Sequence, residues 1–191
     1  MNTIVYFGMS VALGLIAWFT IFATIIWPKM KSQPKIQQLK SLTAISFFRY
    51  FGTTFLIVGL VTRKLPAGFA NPAAFGDLIA LVLAYIAFIG LQRSRAEGPR
   101  LLPVWIFNVV GTADLLFAFA TAPFLIKDPG SFGLTYIIPT VYVPLLFTAH
   151  FYAFKVLAQP HAPHGRRGNC RTEDAITDDL LRRSGVPGAQ R

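Results

Sequence analysis

Residues Leu101 to Ile126, LLPVWIFNVVGTADLLFAFATAPFLI, decide what kind of protein this chain is. The run is apolar and longer than the roughly 20 residues a helix needs to cross a bilayer. Pro103 near its start suits a first helical turn, where the missing N–H costs nothing. Its middle nonetheless carries an amide, Asn108, and a carboxylate, Asp114. A carboxylate at the centre of a bilayer costs about 2.5 to 3.5 kcal/mol on insertion scales, so Asp114 is expected to face protein or water and to have a partner.

Working outward, four more apolar runs are bounded by polar or basic segments, over residues 4–27, 42–62, 74–91 and 134–156. With 101–126 they predict an all-α fold, an integral membrane bundle of five transmembrane helices. The first run has an uncharged start and ends in Ile-Ile-Trp-Pro-Lys, so it reads as a retained helix rather than a signal peptide. The third run is the shortest. Its strictly apolar part is Leu78 to Leu91, and it reaches span length only when taken back to Ala74. That places Asp77 in the first turn, where the helix dipole favours a carboxylate. Arg63 to Asn71, with Pro66 and Gly68, reads as a loop, and Lys127 to Gly130 as a turn.

Composition agrees. The chain is 54% hydrophobic and 14% charged, against roughly 25% charged in soluble domains. The net charge of +10 would suggest nucleic acid in a soluble protein, but here Lys and Arg sit between apolar runs, where basic loops set topology. With the amino terminus outside, fourteen Lys and Arg fall on the inner side and three on the outer, leaving Arg49 within a span. The bias puts the basic tail, 159–191, in the cytoplasm. The tail reads as a flexible segment, with a short amphipathic helix around Ile176 to Leu181 as the alternative. One cysteine, Cys170, excludes an internal disulfide. His161, His164 and Cys170 lie in a Gly/Arg/Pro-rich stretch and make no convincing zinc set, so no metal is expected, and no cofactor.

Away from the span ends, the charged, amide and imidazole side chains are Arg49, Asn108, Asp114 and His150. At a rise of about 1.5 Å per residue, Arg49, Asn108 and His150 share one level in the inner half and Asp114 lies slightly deeper. At about 100° per residue, Asn108, Gly111, Thr112 and Asp114 spread over half of one helix, and Ser46, Arg49, Gly52 and Thr53 fall together on another. Two readings of Arg49 and Asp114 stand side by side. They form an ion pair that only fixes helix register, or they form a ligand site in which Arg49 clamps an anion. His150 is either a proton relay or a histidine hydrogen-bonded within the bundle. Pro139 and Pro144 free the carbonyls of Thr135 and Thr140 and bend the last helix. Intramembrane proteolysis is set aside: there is no GxSG turn, Gly111-Thr-Ala-Asp114 lacks a second glycine, and no second mid-membrane aspartate is expected.

Phe48-Arg49-Tyr50-Phe51-Gly52, Asn71-Pro-Ala-Ala-Phe-Gly-Asp77, Phe107-Asn108 with Gly111-Thr-Ala-Asp-Leu-Leu116, and Ile138-Pro-Thr140 with Val143-Pro-Leu-Leu146 and His150 resemble segments of a family of small bacterial integral membrane proteins. The resemblance covers about 42–157. It implies a multi-pass protein of the bacterial inner membrane and brings no activity, ligand or catalytic residue. In that family a histidine often precedes the Phe-Arg pair by one or two positions, where this chain has Ser46-Phe47, which weakens a histidine-based mechanism.

The sequence therefore predicts a protein whose partners are the lipid bilayer and a small polar or anionic solute, bound or transported at the Arg/Asp/His cluster. The alternative is a structural or assembly subunit with a membrane-protein partner, held by a purely structural Arg-Asp pair. No nucleic acid is expected. With no nucleophile-base pair visible, an enzyme is disfavoured.

Overall fold

The computed structural model describes residues 3–57, 60–61, 65–97 and 101–159. The expected tail lies outside them apart from Gln159.

Among the described residues the fold is helical, with no strand. Helix α1 runs Thr3–Met30 and contains a π turn at Phe22–Ile26. Helix α2, Lys35–Ala44, continues directly into a 3₁₀ helix, Ile45–Leu56. Helix α3 is Ala67–Glu97 and α4 is Leu102–Leu125. A short 3₁₀ helix, Pro129–Tyr136, leads to α5, Ile138–Leu157, which opens with a π turn at Ile138–Tyr142. Four of these, α1, α3 up to Arg93, α4 and α5, are long and apolar enough to cross a membrane. Their outward faces carry Ile16, Val82, Phe124 and Phe151, all more than half exposed. The chain is a helical membrane protein.

Three elements differ from the sequence expectation. The second apolar run is 3₁₀ rather than α over Ile45–Leu56. The 3₁₀ repeat of three residues eclipses every third side chain. The buried row is accordingly Ser46, Arg49, Gly52 and Phe55, and Thr53, expected on that face, is displaced by Phe55. Helix α3 begins at Ala67 rather than 74, so the segment expected as a loop is its first turns. The Pro66 carbonyl accepts from the N–H groups of Phe69 and Ala70 and starts the helix. Pro72 lies inside it, in the second turn, where it forfeits only one bond, that to the carbonyl of Gly68. Asp77 is therefore well inside the helix, not in its first turn. Finally, residues 134–136 belong to the short 3₁₀ helix, where Gly133 turns the chain at φ 53°, a conformation open to glycine at no steric cost.

Packing follows the small residues. Helix α3 buries Ala73, Ala80, Ala84 and Ala87 along one stripe, which lets the 3₁₀ helix and α4 pack closely on either side. Helix α1 packs on α5, and its Trp18 Nε1–H donates to the Val141 carbonyl in the π turn, 3.0 Å. Two apolar clusters result. One gathers Phe22, Leu39, Leu91 and Phe107 toward the end carrying Trp27 and Lys155. The other gathers Phe55, Phe69, Ala122 and Phe132 toward the opposite end. At the first end Lys155 Nζ lies over the Trp27 ring, 4.6 Å from its centroid. Lys35 Nζ there donates to the carbonyls of Leu157 and Gln159 at 3.1 and 2.6 Å, capping α5. Between the two apolar clusters lies the polar one.

Candidate functional site

Arg49, in the middle of the 3₁₀ helix, is the largest fully buried side chain of the described residues, with 0% exposure. A guanidinium has five N–H donors. Nη1 donates to Asp77 Oδ1 on α3 and to Asp114 Oδ2 on α4, each at 2.9 Å. Nη2 donates to the Gly111 carbonyl on α4 and lies 3.1 Å from both that oxygen and His150 Nε2 on α5. Only Nε–H is left without a partner. One side chain thus ties three helices to the 3₁₀ segment that carries it.

The chemistry of the partners fixes the histidine. Guanidinium nitrogens only donate, so Nε2 of His150 accepts and carries no proton. The imidazole is then the neutral Nδ1–H form, and Nδ1–H donates to Asn108 Oδ1 at 2.8 Å. Asn108 is oriented in turn by its own Nδ2, which donates to the Val104 carbonyl at 2.8 Å. Asn108 is 0% and His150 3% exposed. The row Val104, Asn108, His150, Arg49 is a closed chain of donors and acceptors.

Two glycines make room for the carboxylates. A β-carbon at Gly52 would collide with the Asp77 carboxylate, and one at Gly76 with that of Asp114. At Gly111 it would come within 2.8 Å of His150 Nε2 and 3.3 Å of Arg49 Nη2. The 3₁₀ row presents Gly52 one turn beyond Arg49, which explains why an arginine and a glycine three apart serve here.

All four sequence-predicted residues, Arg49, Asn108, Asp114 and His150, come together. Asp77 was missed. The strictly apolar run begins only at Leu78 and reaches span length from Ala74, which puts Asp77 at a helix start, and the expectation of a single mid-membrane aspartate fails with it. The signal that locates Asp77 is its register: it continues the buried alanine stripe of α3, four residues after Ala73, three after Ala74 and three before Ala80. Thr112 Oγ1 is buried with no hydrogen-bond partner, and Thr121 bonds back to the Phe117 carbonyl of its own helix. Neither joins the cluster.

Asp77 and Asp114 line a cavity of about 50 Å³ whose other walls include Phe7, Phe55, Phe69, Phe119 and Phe132. That volume holds a few waters or a small group, since one water needs about 10–15 Å³ by the same measure. A second cavity of about 260 Å³ lies between α1 and the end of α4 and shares Phe7, Phe119 and Ala122 with the first. Arg49 and His150 are not part of either lining; they sit behind the carboxylates. The two aspartates do not make an acid–base dyad, because a guanidinium nitrogen, rather than a water or a shared proton, is held between them. Among the described residues no three His, Cys, Asp or Glu side chains converge on a metal position.

Fold and site together define a helical membrane protein with a largely buried, ion-paired polar core. The chain belongs to the family described as "Domain of unknown function (DUF8737)", matched over residues 6–158, which takes in the first helix as well as the whole polar core. No curated protein and no solved structure matches it.

Proposed function

We propose that this is a five-span protein of the bacterial inner membrane, amino terminus outside and tail in the cytoplasm, whose polar core binds a proton or a small polar solute at Asp77 and Asp114. The fifth span is α2 with the 3₁₀ helix. Ten α residues at about 1.5 Å and twelve 3₁₀ residues at about 2.0 Å reach roughly 39 Å, more than the hydrocarbon thickness. The distribution of Lys and Arg supports the orientation.

The observation that carries the functional reading is the charge count. One guanidinium is shared by two carboxylates, and the geometry holds His150 neutral. With both carboxylates ionised, the core has one negative charge in excess among the described residues. An unbalanced charge at this depth is costly, so the site is complete only when it takes up one positive charge. The carboxylates, not the arginine, face the cavity. Arg49 is already committed on four of its five donors, which argues against the anion clamp and for a proton or cation.

The test is infrared difference spectroscopy of the protein in lipid. A protonated-carboxyl stretch is expected in the wild type at neutral pH, lost in Asp77→Asn or Asp114→Asn. Its absence across the accessible pH range, with no bound cation, overturns the reading.

One observation favours a second reading, a structural or assembly role. Arg49 is fully buried and joins three helices and its own segment. Charges of this kind hold helix register without binding anything. Under that reading aspartate substitutions change stability and leave no titrating group to detect.

A further inference from the structure

The cavity in front of the two aspartates has walls of a particular kind. Five phenylalanine side chains, Phe7, Phe55, Phe69, Phe119 and Phe132, surround it, and its polar surface comes from Asp77 and Asp114. Phe132 is fully buried and gathers three of the others, with ring centroids 5.6 to 5.9 Å from Phe7, Phe55 and Phe69. Such a lining offers hydrogen-bond acceptors and aromatic rings. It offers no side-chain hydrogen-bond donor, so a sugar or an anion finds nothing to hold it. A cation finds coulombic attraction from the carboxylates within an aromatic enclosure, the surroundings that suit ammonium groups.

The second cavity extends this logic. It is larger, about 260 Å³, and its walls, among them Ile4, Val11, Pro123 and Ile126, are apolar. The side chains of Phe7 and Phe119 border both spaces. A small, acidic, aromatic compartment thus adjoins a larger apolar one across these shared side chains.

We propose that the adjoining compartments together bind a hydrophobic monocation: an ammonium group at Asp77 and Asp114, with a short apolar chain lying between α1 and α4. The assignment rests on the charge reading above and names the class of ligand that satisfies it. A bare inorganic cation would leave the aromatic walls and the second cavity unused. A neutral apolar molecule would leave the excess charge unanswered.

The experiment titrates hexyltrimethylammonium into the full-length protein in a non-ionic detergent and follows thermal stability. Hexanol and hexanesulfonate, with the same chain and a different head, are the comparisons. Saturable stabilisation by the cation alone is expected, with apparent affinity at least tenfold weaker in Asp114→Asn. Phe119→Leu, which keeps an apolar wall and removes a ring face, should weaken it severalfold, and it keeps the test decisive if the aspartate variant does not fold. Equal stabilisation by hexanol, none by the cation, or unchanged affinity in both variants overturns the proposal. A protonated-carboxyl band without cation binding removes the ammonium site and leaves the proton site standing. The absence of both removes the charge reading itself.

Discussion

Arg49→Met should be the most damaging single substitution in the polar core. Methionine keeps the unbranched apolar stem, stops short of the guanidinium and removes the charge. The change deletes the donors to Asp77, Asp114, the Gly111 carbonyl and His150 together. Side-chain exposures of 11% and 14% leave the two carboxylates little access to solvent. Removing one partner of a buried pair costs about 3–5 kcal/mol, because the remaining charge is stranded. Protonation of one or both acids limits the loss, so the lower half of that range is the better expectation. Asp114→Asn should behave differently. Its amide oxygen still accepts from Nη1, and the excess negative charge disappears, so stability should stay within about 1 kcal/mol of wild type, the scale of a single neutral hydrogen bond. Because Arg49 has two acidic partners, the double variant Arg49→Met/Asp114→Asn still leaves Asp77 alone. Full relief requires Arg49→Met/Asp77→Asn/Asp114→Asn. The assay is denaturant unfolding in mixed micelles, followed through Trp18, Trp27 and Trp105. A loss below about 1 kcal/mol in Arg49→Met would refute the reasoning, since stranding a buried charge costs more than that. A triple variant no better than the single would show that the cost is lost packing rather than charge.

Three further outcomes are expected. Gly76→Ala should destabilise by about 1–3 kcal/mol, the range for overpacking, because its methyl occupies the place of the Asp114 carboxylate; the same assay reads it, and a neutral result would show that the two helices separate freely. Asn108→Leu should cost about 1–3 kcal/mol, since His150 Nδ1–H is left buried without an acceptor; the same assay reads it, and a neutral result would show that the imidazole does not depend on that bond. The single cysteine, Cys170, reports topology. A membrane-impermeant maleimide should label it in inverted vesicles and not in intact cells, and labelling in intact cells would reverse the orientation.

The membrane class and four of the five core residues were legible in the sequence because both depend on quantities local to a run of residues. Length and apolarity make a span whatever its neighbours do. A charge inside such a run must be paired, so Arg49, Asn108, Asp114 and His150 declare themselves by cost alone. Even their common depth follows from the rise per residue.

What depended on neighbours was not legible. Asp77 sits among residues, Pro72 and Gly76, that locally favour a helix boundary, and only the packing of α3 against the 3₁₀ helix and α4 draws the helix back to Ala67 and turns that carboxylate inward. The 3₁₀ winding of Ile45–Leu56 has no composition signature either. Its worth lies in aligning Ser46, Arg49 and Gly52 in one straight row, so that the arginine meets both aspartates while glycine admits one of them. The pairing was expected to be one arginine with one aspartate and is one arginine between two. The sequence by itself determined that charges lie within long apolar runs. Tertiary structure alone decided how many meet, two carboxylates on one guanidinium, because a charge balance belongs to the assembled helices and to no single one of them.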